Sequence, residues 1–226
     1  MKNTAETTTT ACAGSKAPSK PRGRPLSFDR DAALEQAMHV FWERGYEAAS
    51  IADLTAAMGI TPPSLYTAFG DKEKLFLQAI ERYALGPGSA GPRALAEEPT
   101  ARGAIERWLK EAAEELTRPC HPKGCMVVMA TTNCSVAAEH VQTALTKRRA
   151  AAIAAIKLRI QQGIDRGELA ADTDAKALSN FYSTVYQGMS MQAKDGATRT
   201  SLMATVDAAM RAWPAAPKRA TAKPAA

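Results

Sequence analysis

The side chains of widest chemical range in this 226-residue chain are four cysteines and three histidines, and Cys120, His121 and Cys125 crowd into one short stretch, with Cys134 and His140 downstream. Zinc sites draw on tight ligand pairs such as Cys-x-x-Cys. No such pair occurs, so the spacing favours cysteines as small buried hydrophobes over a metal site. Thiol chemistry is a second option, because Lys123 and His121 beside Cys120 or Cys125 would lower a thiol pKa and favour the reactive thiolate. Catalysis is not expected. His39, His121 and His140 fall in a first helix, a Pro-flanked loop and a long helix, and none is placed near a nucleophile and an orienting carboxylate. A phosphate loop and a dinucleotide fingerprint are both missing from the sequence, so no cofactor is called for.

A different constellation runs from Ser50 to Lys72. Ser50 offers an N-cap to a short helix bearing Ile51, Leu54 and Met58 on one face, with Asp53 in the acidic place of a capping box. Gly59 stops that helix. After Gly59-Ile60-Thr61, Pro62 and Pro63 open a second short helix in the first turn, where proline is tolerated, and Gly70 ends it. Leu54 and Met58 before the turn, and Ile60 and Leu65 after it, occupy the positions that must face a core. Thr55, Ala56 and Ala57 are small enough for the two helices to cross closely. Turn, core and cap agree on a helix-turn-helix, whose second helix is presented to a DNA major groove.

The elements around it are helical throughout, and no segment shows strand alternation. Ala33, Ala37, Val40 and Phe41 make a first helix of about four turns, capped by Ser27 or Asp29 and ended near Gly45. Asp71 caps a fourth helix with Leu75, Phe76, Ala79 and Ile80 buried. Gly86-Pro87-Gly88 opens a linker reaching to about Pro99. Beyond it, helices are expected over Ala101–Thr117, over a short apolar segment Met126–Cys134, over about Ala137–Arg166, through Leu178–Met189, and from Leu202 to Trp213.

Composition bounds the rest. No stretch approaches the roughly 18 uncharged apolar residues of a membrane span, and the Thr-rich start has no apolar core of a secretory signal. With few cysteines, the expected compartment is the cytoplasm. The formal charge of +6 lives in the ends: residues 1–25 carry +4 and residues 214–226 carry +3, leaving −1 between them. Both ends are rich in Ala, Pro, Lys and Thr and read as disordered. Residues 26–84 hold nine acidic against five basic side chains, so DNA approach must be won by geometry or by the arm. Pro21-Arg22-Gly23-Arg24-Pro25 suits that role, because Arg22 and Arg24 can enter a narrow A·T-rich minor groove.

Phe41 to Gly45, Ile51 to Gly59 and Leu65-Tyr66-x-x-Phe69-x-x-Lys72-Glu73-x-Leu75-Phe76 together resemble the DNA-binding half of TetR-family repressors over roughly residues 27–82. The segments 167–169, 187–189 and 209–213 are similar to one branch of that family. The resemblance implies an all-α regulator with a helix-turn-helix domain (26–84) and an effector-binding and dimerisation domain (85–213), between the disordered basic arm (1–25) and basic tail (214–226) that composition gives. It implies a homodimer, joined through the last two long helices, on a palindromic double-stranded DNA operator, released by a small apolar or amphipathic effector. It puts Thr61, Pro63, Ser64, Tyr66 and Thr67 at the groove, with Ser50 and Lys72 on backbone phosphates. Where the family often carries a His or a large aromatic after the Tyr, this chain has Thr67-Ala68, which leaves fewer direct bonds. An effector cavity would draw on Trp108, Met126, Met129, Tyr182, Tyr186 and Met189, with Asn133, Gln187 and His121 as polar points. These side chains fit a plain core equally well. The rival reading is a thiol-reactive or small-molecule-binding helical sensor that keeps the helix-turn-helix only as packing.

Overall fold

The computed structural model describes residues 28–130 and 138–215. Arg22, Arg24, Asn133, Cys12 and Cys134 lie outside the described residues, as do the basic arm and most of the tail. Among the described residues there are ten α-helices and no strand. None of those helices is long and apolar enough to cross a membrane.

Four helices form the first layer: α1 (Arg30–Ala48), α2 (Ile51–Met58), α3 (Pro62–Phe69) and α4 (Lys72–Leu85). Asp29 starts α1 by accepting from the N–H groups of Asp31 and Ala32 at 2.9 and 3.1 Å, satisfying donors that have no partner inside the helix. Gly45, at φ 80° and ψ 172°, breaks the helical path where the sequence places its end, and a short extension runs on to Ala48. The apolar stripe of α1 meets α4 through aromatic edges: Phe41 packs edge-on to Phe76 at 5.0 Å and Trp42 edge-on to Tyr83 at 4.8 Å, geometries the ring quadrupoles favour. Arg82 of α4 pairs with Glu35 of α1 at 2.6 Å on the rim.

The expected linker over 86–99 is instead structured. Pro87–Ser89 makes a 3₁₀ turn and Ala90–Glu97 makes α5. The turn-forming residues misled because they sit where a helix spares them: Pro87 opens the 3₁₀ turn and Pro92 falls in the first turn of α5, whose N–H groups need no intrahelical acceptor. Fully buried Ala94 supplies the packing.

The second layer is α6 (Ala101–Leu116), the short α7 (Met126–Met129), α8 (Glu139–Asp165), α9 (Ala175–Lys194) and α10 (Arg199–Arg211). Central to it is α6, buried along Ile105, Trp108, Leu109 and Ala112 and in contact with α5, α8, α9 and α10. Asp174 caps α9 by accepting from Lys176 and Ala177 at 2.9 Å each. Glu168 accepts from the Ala101 N–H at 2.6 Å, which caps α6 from the far end of α8.

The reading unit is anchored by Leu65 of α3, which is fully buried in the core. Leu65→Ala is expected to destabilise the protein by about 2–5 kcal/mol, read as a lower urea midpoint at unchanged slope. A midpoint equal to the parent's would show that α3 is not anchored this way.

Candidate functional site

The positioning of α3 begins at α2. The Ser50 hydroxyl oxygen accepts from the Asp53 N–H at 3.0 Å, and an Asp53 carboxylate oxygen accepts from the Ser50 N–H at 3.1 Å, which completes the capping box. Arg44 of α1 clasps the same carboxylate at 2.7 Å. The Ser50 hydrogen bonds, first, and the Arg44 pair hold the Asp53 carboxyl below its ordinary range. Gly59 ends α2 in the left-handed region, φ 65° and ψ 30°, a conformation that costs glycine nothing. Thr61 then caps α3, its hydroxyl facing the Ser64 N–H at 3.4 Å and the Ser64 hydroxyl at 3.0 Å.

One side of α3 is locked and the other is open. Leu65 and Phe69 are buried, whereas Thr61, Pro63, Tyr66 and Thr67 are exposed and Ser64 is half-buried. Tyr66 keeps 50 % of its surface in solvent, a large amphipathic ring with no packing duty. Thr67 donates its hydroxyl proton to the Pro63 carbonyl at 2.8 Å. Lys72 sits over the Tyr46 ring at 4.6 Å and donates to the Glu47 carbonyl at 3.3 Å. Burial pulls its ammonium below the usual lysine range, opposed by Glu47. The described face is polar and carries no carboxylate on α3 itself.

A second feature joins this layer to the other helices. The Gly124–Cys125 peptide is held on both sides: its carbonyl accepts from the Trp42 indole N–H of α1 at 3.0 Å, and its N–H donates to the Ser190 hydroxyl of α9 at 2.8 Å. Gly124 has φ +81°, and a Cβ there would stand 2.9 Å from the Ser190 carbonyl oxygen, so no side chain fits. Beside it, His121 stacks on Trp42 at 4.4 Å and bonds Glu115 of α6 through Nε2 at 2.9 Å. Lys123 donates to the Thr117 and Arg118 carbonyls, the C-terminal end of α6. His121 and Lys123, the residues that a thiol reading would draw on, are thus engaged with α1 and α6.

Against that peptide lies a cavity of about 620 Å³, within the size range of small-molecule sites. Of the side chains named for an effector cavity, Trp108, Tyr186 and Gln187 line it. Met126, Met129, Tyr182 and Met189 do not. Met126, Tyr182 and Met189 are solid core, and the Tyr182 hydroxyl is occupied by the Ala209 carbonyl at 3.2 Å. Helical periodicity assigns a side chain to the inner face but cannot tell filled interior from cavity wall. Sequence reasoning missed Tyr83, Cys125 and Arg159, all of which line the space. Cys125 had a signal only as a thiol or a small buried hydrophobe, and Tyr83 only through its helical spacing from Ile80. Burial, with Cys125 next in effect, pushes the Tyr83 and Tyr186 phenols well above the tyrosine range. Of the thiols described, Cys120 is exposed and Cys125 buried.

Known proteins share this arrangement. Residues 33–79 match the model of bacterial regulatory proteins of the tetR family, and residues 101–216 match a Tetracyclin repressor-like C-terminal domain. The chain belongs to the tetR family. Its relatives include the HTH-type transcriptional repressor ComR of Escherichia coli K12, 36 % identical over 197 residues, covering 86 % of this chain and 93 % of that one. The HTH-type transcriptional repressor BdcR of the same organism is 30 % identical over 193 residues, covering 84 % and 91 %. Among solved structures, a cysteine mutant of the TetR family transcriptional regulator CifR, complexed with 26-base-pair operator DNA, superposes with a TM-score of 0.82 at 46 % identity, covering 85 % of this chain and all of that one. As a tetR-family member the protein is a DNA-binding transcriptional regulator and not an enzyme, and α2 and α3 are its helix-turn-helix.

Trp42→Phe removes the indole donor and leaves the Gly124 carbonyl buried without a partner, which is expected to cost about 1–3 kcal/mol in chemical denaturation. Gly124→Ala, which adds a forced left-handed residue and a clash with α9, is expected to cost more. The reverse order would contradict the described joint.

Proposed function

We propose that this regulator is a repressor that binds a pseudo-palindromic operator as a homodimer and is released when a small apolar or amphipathic molecule enters the cavity. The observation that carries the DNA reading is the two-sidedness of α3: Leu65 and Phe69 fix it from beneath, while Tyr66, Thr67, Pro63 and Thr61 are left outward. An uncharged face of this kind reads base edges through hydroxyls and apolar contact, Thr67 offering its methyl to thymine. Ser64 and Tyr66 reach phosphate or base edges. The Ser50 hydroxyl is spent on Asp53, so the phosphate it helps to hold meets the free N–H groups at the start of α2. Lys72 gives a phosphate the N–H bonds that Glu47 does not take. Arg22 and Arg24 supply an arm in the adjacent minor groove.

Two exposed apolar side chains on α9, Phe181 at 41 % and Met191 at 40 %, support a partner copy packed against α9 and α10. Such a dimer must present its two α3 helices about one turn of DNA apart, near 34 Å. Helices α1–α4 would form the reading domain and the remainder the effector and dimerisation domain. Such a protein works in the cytoplasm, on the chromosome. Release requires that effector bind more tightly to the dimer whose α3 spacing no longer fits the operator, and the Gly124–Cys125 peptide, shared by the cavity wall and α1, is the proposed route.

Selection of bound duplexes from a random library tests this reading. The full chain is expected to enrich a two-fold-related motif, and Tyr66→Ala to weaken binding to it by about 5- to 100-fold at unchanged melting temperature. Enrichment of no motif, or of a single unpaired half-site, would contradict it.

A further inference from the structure

The cavity has a charge bias that its apolar look conceals. Its lining includes three arginines, Arg148, Arg149 and Arg159, against one carboxylate, Glu115. Arg148 pairs with Glu81 at 2.5 Å, and Glu115 pairs with Arg118 and bonds His121 Nε2, each at 2.9 Å. Arg149 donates to the Val127 carbonyl and the Thr146 hydroxyl.

Arg159 differs from the others. It sits on α8 with only 5 % of its surface exposed. Its Nη2 donates to the Glu98 carbonyl at 3.0 Å, and among the described residues Nη1 has no hydrogen-bond partner and the side chain no ion pair. Ser183 of α9, which lines the same space, also has a buried hydroxyl with no partner among the described residues. A guanidinium cannot shed its proton to escape this position. Keeping it buried with one neutral acceptor is costly, and helix packing alone would favour an apolar residue of similar size. The cost is recovered if an anionic oxygen arrives from the cavity, because charge-assisted bonds to a planar guanidinium are among the strongest available.

We propose that the molecule recognised in this cavity is an amphipathic anion, a compound with a carboxylate, sulfonate or phosphate head held by Arg159 and the Ser183 hydroxyl, and an apolar body against Leu95, Trp108, Val127, Val128 and Ile156. The inference rests on the reading of this cavity as the effector site and adds the charge of its occupant. A cationic ligand is disfavoured by the buried guanidinium of Arg159.

Two fluorescent probes of similar aromatic body test it on the full chain: 1-anilinonaphthalene-8-sulfonate, an anion, and N-phenyl-1-naphthylamine, its neutral counterpart. The anion is expected to bind at least 10-fold more tightly. Arg159→Gln is expected to weaken anion binding on the order of 10- to 100-fold while leaving the neutral probe within about 2-fold, and Arg159→Lys, which keeps the charge, to lose less. Because the neutral probe needs only the folded cavity, its retention shows that Arg159→Gln has folded. A cavity-filling change, Ala152→Trp, is expected to displace both probes. Equal affinity for the two probes, or equal losses of both in Arg159→Gln, overturns the anion while leaving the cavity as an effector site. Binding of neither probe, or binding of both that Ala152→Trp does not disturb, overturns the effector reading and the anion with it.

Discussion

One peptide unit ties the molecule together. The Gly124–Cys125 amide is bonded through its carbonyl to Trp42 of the reading layer and through its N–H to Ser190 of the second layer. Gly124 and Cys125 themselves line the cavity. A peptide is planar and stiff, so a displacement felt at one bond is delivered to the other with little loss. His121, stacked on Trp42 and bonded to Glu115, braces the same point from α6. Three helices that the chain visits far apart, α1, α6 and α9, therefore share a junction a few ångströms across. Lys194 of α9 reaches Glu43 of α1 at 3.1 Å nearby, an exposed pair that adds orientation more than stability.

That junction matters because the reading helix has little freedom of its own. Arg44 and the Ser50–Asp53 box fix α2 to α1, the Gly59 turn fixes α3 to α2, and Leu65 seals it to the core. Such a unit moves as a body with α1. Geometry takes the place of charge in its approach to DNA, because residues 26–84 are acidic on balance, with nine carboxylates against five cations. An acidic body with a polar, neutral reading face disfavours indiscriminate phosphate binding.

Much of this was legible in the sequence, and unevenly so. Helix boundaries around the turn were readable because each is set by a local chemical event: Ser50 and Asp71 capping, Gly59 and Gly70 stopping, Leu54 and Leu65 facing inward. Residues 86–99 were misread as a linker, because Pro and Gly are punctuation only outside the first turn of a helix, and which case applies depends on what packs behind Ala94. The cavity was half legible. Trp108 and Tyr186 line it, but Met126 and Met189 fill core, since periodicity fixes direction and not the presence of neighbours. Arg159 gave no signal at all. Its burial follows from α8 lying against the Glu98 end of α5, a long-range contact that no local pattern encodes. The same holds for Trp42, whose indole N–H finds its acceptor 82 residues away.

If an occupant of the cavity shifts DNA affinity, as proposed, DNA shifts the cavity's affinity for that occupant by the same factor. Amide hydrogen exchange over residues 118–125, measured with and without a selected operator duplex, reads that linkage without requiring an effector. The Gly124 and Cys125 amides, bonded to Leu116 and Ser190, are predicted to exchange more slowly when α3 is on DNA. Protection confined to α2 and α3, with the 118–125 amides exchanging as they do in free protein, would contradict a joint through this peptide.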